Sequence, residues 1–350
     1  MLNRVTFITA AIASALLSAG CAKTYDPAPE RNAIRFEAGS MLLNDDATKA
    51  GLKNEFTEND NFAVFGNRMI SNVQSTVFGG TNGVTVTYGY DGGASPTLVW
   101  TYSPVRFWYW ESTGDYYDFV AMSPSGKGSV KMDIPGNLAV STHFDISSDN
   151  YDLMGAAFRR RGNVSNPSST VPLNFVHLTS AVRINIINNS ETQSVTIDSY
   201  CFRNLMVVGD TKVTLDLMGS AAYSWINTER NTSDVRQTTV DESLDAGDSY
   251  AGDYDFMVPQ RLDQAVGSGG LEANMPKLFL YYTMDSVQHG AEISLKDICP
   301  RGDDTPITSW ERGVKYTYEI SMRLDGGVLV NVVTTDWDTV EAETPGLLIE

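Results

Sequence analysis

Apolar and polar residues alternate with a period of two along most of this chain, which predicts half-buried β-strands. The cleanest run is Val314 to Leu324. Val314, Tyr316, Tyr318, Ile320, Met322 and Leu324 share one face, and Lys315, Thr317, Glu319, Ser321 and Arg323 share the other. Asp325-Gly326-Gly327 then supplies a turn, and Val328 to Val333 returns as the second arm of a hairpin. The same pattern predicts strands over Val84–Tyr90, Leu98–Tyr102, Asp118–Met122, Val182–Asn188, Val213–Leu217 and Leu278–Met284. No long stretch carries the 3.6-residue period of a helix, and Gly, Asn, Asp and Pro break the strands into short pieces. The expectation is an all-β chain of antiparallel sandwiches. A polar break at Arg159 to Thr170 divides it into predicted domains 34–165 and 166–350.

The amino terminus departs from that pattern. Arg4 precedes an uncharged run from Val5 to Leu17, at about 13 residues the length of a signal-peptide core and short of the roughly 20 that span a bilayer as a helix. Ser18-Ala19-Gly20-Cys21 follows and resembles a lipobox, with Ser18 where Leu is usual. Residues 1–20 therefore read as a lipoprotein signal peptide, Cys21 as the lipidated residue that anchors the chain to a membrane, and 21–33 as a polar tether.

Composition narrows the function classes. Asp and Glu number 43 against 25 Lys and Arg, a formal net charge of −18, which argues against nucleic acid and against adhesion to anionic lipid surfaces. Apart from Cys21 the chain holds only Cys201 and Cys299, expected as two separately buried thiols, with a single disulfide the alternative in an oxidising compartment. His143, His177 and His289 are isolated from any metal or catalytic motif, so no metal site, cofactor or enzymatic activity is expected. His177, on an alternating segment, reads as a hydrogen-bonded structural residue. Trp100, Tyr102, Phe107, Trp108, Tyr109 and Trp110 cluster in sequence; core filling is the expected use, with sugar stacking the alternative. Arg301-Gly302-Asp303 reads as a charged turn.

A set of segments, in order and spacing, resembles the fimbrillins of the Mfa-like branch, which build type V pili of Gram-negative anaerobes. These are Ile34-Arg35-Phe36-Glu37-Ala38, Thr48-Lys49-Ala50, Asp60 to Gly66, Trp100 to Pro104 and Tyr117 to Pro124. Asp152 to Ala156, Leu173 to Thr179, Phe256 to Gln260, Gly313 to Ile320 and Asp336-Trp337 complete the set. The resemblance implies two transthyretin-like antiparallel β-sandwich domains in tandem and a pilin delivered to the outer membrane as a lipoprotein. It also implies a trypsin-like protease that cuts the loop after the first strand, and a neighbour's carboxy-terminal strand that fills the groove left behind. On this sequence the removable strand carries Ile34, Phe36 and Ala38 on one face. The cut falls between Lys49 and Ala50, with Lys53 the nearby alternative and an uncut loop the other reading. The candidate donor is Val328, Val330 and Val332 together with the tail bearing Leu347 and Ile349, buried either in its own subunit or in a partner. Expected partners are other pilin subunits, the processing protease, the membrane through the lipid, and a host or bacterial surface ligand, at the outer membrane, cell surface or fimbrium. The alternative is a surface lipoprotein that never polymerises and binds glycan or protein.

Overall fold

The computed structural model describes residues 32–38, 55–80, 82–93, 95–134, 137–162, 170–265, 272–323 and 327–336. The first part of the chain forms β1 (Phe36–Ala38), β2 (Asn61–Ile70), β3 (Val73–Phe78), β4 (Val84–Tyr90), β5 (Leu98–Thr101), β6 (Tyr116–Ser123), β7 (Ser129–Ile134), β8 (Asn137–Asp145) and β9 (Met154–Arg161). There follow β10 (Val171–Leu173), β11 (Val176–His177), β12 (Ser180–Asn188), β13 (Val195–Leu215), β14 (Ala221–Leu244), β15 (Ser249–Ala251), β16 (Asp255–Met257) and β17 (Gln260–Arg261). Last come β18 (Lys277–Met284), β19 (Val287–Ser294), β20 (Ser309–Trp310), β21 (Val314–Met322) and β22 (Val328–Asp336). Two short 3-10 turns, Glu272–Asn274 and Leu295–Asp297, are the only helical elements among the described residues. The all-β expectation holds.

One sheet runs β11-β9-β6-β2-β4-β5 with β3 added to β2. Another runs β19-β18-β13-β8-β7 with β14 along β13, and a third runs β15-β12-β21-β22 with β16 on β12. Among the described residues, pairings between strands are antiparallel except two: β1 lies parallel to β10 and β12 parallel to β21. The predicted hairpin is present in register, with Tyr318 opposite Val332 and Ile320 opposite Val330. Three pairings, β1 with β10, β9 with β11 and β8 with β13, join strands on opposite sides of position 165.

Apolar side chains form two buried clusters. The larger includes Phe202, Trp310, Tyr318 and Ile320 from the β13 and β12–β21 sheets and reaches Phe65 and Val120 of the β2–β6 sheet. The smaller holds Ile34, Phe36, Phe62, Phe78, Tyr117 and Phe119, with Val171 and Leu173 of β10. Charged groups are buried only with partners, as desolvation requires. Arg159 makes a two-point ion pair with Asp118, at 2.6 and 2.7 Å. It lies 4.2 Å from the centre of the Tyr116 ring and donates to the Leu217 carbonyl, tying the β6–β9 sheet to the β13–β14 turn. Burial pushes the Asp118 carboxyl upward against the pull of this guanidinium.

Candidate functional site

β1 and the residues before it fill a slot with partners on both sides. On one side Ala33 bridges Phe107 in antiparallel sense; the Ile34 amide donates to Arg106 O at 2.8 Å and the Trp108 amide to Asn32 O at 2.9 Å. On the other side the Val171 amide donates to Arg35 O at 2.7 Å, and Phe36, Glu37 and Ala38 align with Val171, Pro172 and Leu173. The alternation read from the sequence is the observed one. Ile34 and Phe36 are buried at 1% and 5% exposure, Ala38 is half-buried, and Arg35 and Glu37 face solvent. Burying the first two side chains stabilises the seated strand by about 1.5–3 kcal/mol each.

Phe36 sits in a cage of rings. Centroid distances are 6.3 Å to Phe62, 5.6 Å to Phe78, 5.5 Å to Tyr102 and 5.7 Å to Phe119, all edge-on. Edge-to-face contacts of this kind add to the plain burial of area. The Tyr102 hydroxyl donates to Ile34 O at 2.7 Å, so one ring of the cage also grips the strand backbone. Burial raises the Tyr102 phenol above its ordinary pKa, which keeps it a donor.

The 106–115 wall is fixed from behind. Trp108 and Trp110 stack at 5.3 Å, and the Tyr117 hydroxyl accepts from the Tyr109 amide at 3.0 Å while donating to its carbonyl at 3.2 Å. Asp115 accepts from the amides of Ser71, Glu111 and Ser112 and from the Ser112 hydroxyl. Burial opposes its ionised form, but these donors outweigh it and hold the carboxyl at about 2. This edge of the slot is thus braced by contacts that do not involve the seated strand.

A family model described as fimbrillin-like matches residues 48–337. The chain belongs to the fimbrillin-like family. As a fimbrillin-like protein it is a pilus-type subunit that works at the cell surface in association with other fimbrial subunits. Comparison with curated proteins returns no match. Among solved structures, a protein from Bacteroides uniformis assigned to cell adhesion is 15% identical, covering 89% of this chain and 99% of that chain at a TM-score of 0.49. A fimbrial protein from Bacteroides vulgatus is 13% identical, covering 87% and 99% at a TM-score of 0.48. The tip fimbrial protein Mfa3 from Porphyromonas gingivalis, with a C-terminal truncation, is 13% identical over 80% of this chain and 95% of that one, at a TM-score of 0.40.

Of the fimbrillin residues singled out in the sequence, Ile34, Phe36 and Ala38 come together in the slot. Cys21, Lys49, Ala50, Leu347 and Ile349 lie outside the described residues. Val328, Val330 and Val332 are seated in their own chain: β22 pairs along β21, Val332 is fully buried, and Val328 and Val330 pack on the larger cluster. The outer edge of β22 is partly covered, since the Val332 amide donates to Cys299 O and the Arg301 amide to Val332 O. That contact places Arg301-Gly302-Asp303 in an exposed turn, with Arg301 paired to Glu319 at 2.7 Å. His177 is buried with Nδ1 2.9 Å from Asp152, a structural residue as expected. Cys201 is a buried free thiol, pushed up to about 11 by burial, and Cys299 is a half-buried free one. Trp108 is buried, Trp100, Tyr102 and Trp110 are half-buried on the smaller cluster, and only Phe107 and Tyr109 present exposed rings. Among the described residues no group of His, Cys, Asp and Glu is arranged to hold a metal, and no helix is long and apolar enough to cross a membrane. Sequence reasoning missed β10, Tyr102 and the Arg106–Trp108 backbone as the walls of the slot. Only the alternation in Val171-Pro172-Leu173 hints at a strand there.

Proposed function

We propose that this fimbrillin-like protein is exported as an outer-membrane lipoprotein anchored through Cys21, cut by a trypsin-like protease between Lys49 and Ala50, and polymerised by donor-strand exchange. In this reading residues 34–165 and 166–350 act as two sandwich domains that share sheets across their boundary. The observation that carries the proposal is the seat of β1: three ladder positions and two deeply buried side chains, in a slot walled on both sides by the same chain. A cut at Lys49 leaves that strand a separate peptide, taking the lipid with it. Its exit bares an apolar slot and unpaired edges, which a strand from another subunit restores as β-augmentation. Because β22 is seated at home, the donor in this reading is 337–350 with Leu347 and Ile349, following Val328, Val330 and Val332 in sequence. No catalytic step is assigned.

Amino-terminal sequencing of protein taken from the cell surface tests this directly. The expected terminus is Ala50, in material that runs as an SDS-resistant ladder. A lipidated terminus at Cys21 on a monomer supports the second reading, a surface lipoprotein that binds glycan or protein without polymerising. The exposed rings of Phe107 and Tyr109 favour that second reading, and a glycan array comparing the wild type with Tyr109→Ala tests it.

A further inference from the structure

The β1 slot recognises its occupant in two different ways, and only one carries information about which strand enters. The backbone contacts at Asn32 O, Ile34 N and O, and Arg35 O are available from any extended peptide. Side-chain seats supply the selection, and the Phe36 seat is the most demanding. Its walls, Phe62, Phe78 and Phe119, are at most 1% exposed and backed by other rings: Phe78 lies 5.3 Å from Tyr102 and 6.1 Å from Phe119, and Phe62 4.6 Å from Trp100 and 5.2 Å from Phe175. Packed rings relax only partly around a smaller occupant, so an aliphatic side chain there leaves a void and loses the edge-on contacts.

Resting on the strand-exchange reading above, we infer that the slot selects a strand of pattern aliphatic–x–aromatic–x–small from a different fimbrial subunit, and disfavours residues 337–350 of a second copy of this chain. Within 337–350 the single aromatic is Trp337, directly after β22 and flanked two residues away by Thr335 and Thr339. The best apolar alternation there, Leu347 and Ile349, brings Ile to the Phe36 seat. Charge points the same way. The seated segment carries one Arg and one Glu outward, whereas 337–350 holds Asp338, Glu341, Glu343 and Glu350 with no basic residue, against a chain of net charge −18.

The test uses the mature chain cut after Lys49, titrated by fluorescence anisotropy with three labelled synthetic peptides: a copy of residues 32–40, the same peptide with Phe36→Leu, and a copy of residues 337–350. The same titration on a cut Phe36→Ala chain removes the kinetic hold of the native strand. The expected result is saturable binding of the first peptide, at least about tenfold weaker binding of the Leu form, and no displacement by the 337–350 copy at equal concentration. Equal binding of the Phe and Leu forms, or displacement by the 337–350 copy, overturns aromatic selection while leaving strand exchange standing. Failure of both cut chains to take any peptide overturns strand exchange itself, and the selection with it.

Discussion

Phe36 concentrates more contact than any other residue of its strand, and its surroundings set the cost of losing it. Truncation to Ala removes a buried ring from four edge-on partners that cannot close the gap, and Phe→Ala changes in such settings cost about 3–5 kcal/mol. Glu37, one position on and exposed, has no such role, so Glu37→Ala is expected to stay within about 0.5 kcal/mol of the wild type. Urea unfolding of the two variants of the uncut chain measures the contrast. A second residue-scale prediction concerns Asp255, whose carboxyl burial pushes up to about 6, against the opposing pull of Arg236, 3.7 Å away. The folded state then holds a proton that the unfolded chain releases near its ordinary value of 3.8. This stabilisation is complete below about pH 4 and is lost as pH rises through about 6. Comparing unfolding free energies of the wild type and Asp255→Asn from pH 4 to 7 should isolate it, on the order of 2–3 kcal/mol across the window. A difference that is flat with pH would show that Asp255 keeps its charge on folding.

At the scale of elements, β21–β22 gives the sharpest test of register. Val332 is fully buried between Tyr318 and the Cys299–Arg301 segment, whereas Val333, next in line, is 37% exposed. Val332→Asp should cost more than about 3 kcal/mol, and Val333→Thr less than about 1 kcal/mol; a register slip by one residue would reverse the order. This hairpin was legible in the sequence because apolar side chains take one face and polar ones the other, even where, as at Lys315 and Thr317, the polar face is buried too. β4, β12 and β18 were legible for the same reason. β2 was not read as a strand from periodicity: its buried run Phe62 to Asn67 is covered on both faces, so no alternation survives. β14 was missed for the opposite cause. Of its 24 residues only Val235 and Leu244 are buried, and an exposed polar strand held by the β13 ladder leaves almost no hydrophobic signal. The polar break at Arg159 is likewise partly strand, since β9 continues to Arg161. Arg159 there is neutralised by Asp118, a partner 41 residues away that local pattern does not reveal. The slot was half legible. Ile34 and Phe36 announced a buried face, but β10 reaches them through a three-residue parallel pairing across more than a hundred residues, and such contacts have no local signature.

For the molecule as a whole, the decisive quantity is how the first strand is connected to its slot. In the uncut chain it is tethered through residues 39–54, and a short tether holds its effective concentration near the millimolar range. Seating is then intramolecular and independent of protein concentration. The proposed cut at Lys49 changes no contact in the slot, yet it makes seating bimolecular. At about micromolar protein that is a loss of roughly three powers of ten, or about 4 kcal/mol of apparent stability. Three backbone bonds, the Tyr102 hydroxyl, a three-residue ladder with β10 and two buried side chains are a modest hold against such a change, so the strand becomes exchangeable without any rearrangement of the body. Thermal unfolding followed across a hundredfold range of concentration should reveal this: the midpoint of the uncut chain stays fixed, while that of the cut chain lies lower and climbs with concentration. The Phe36→Ala chain, cut in the same way, should fall further and show the dependence more steeply at its low-concentration end. A cut chain whose midpoint neither drops nor moves with concentration would mean that the strand is held by more than this slot, and the uncut-anchor reading of Cys21 would then replace exchange.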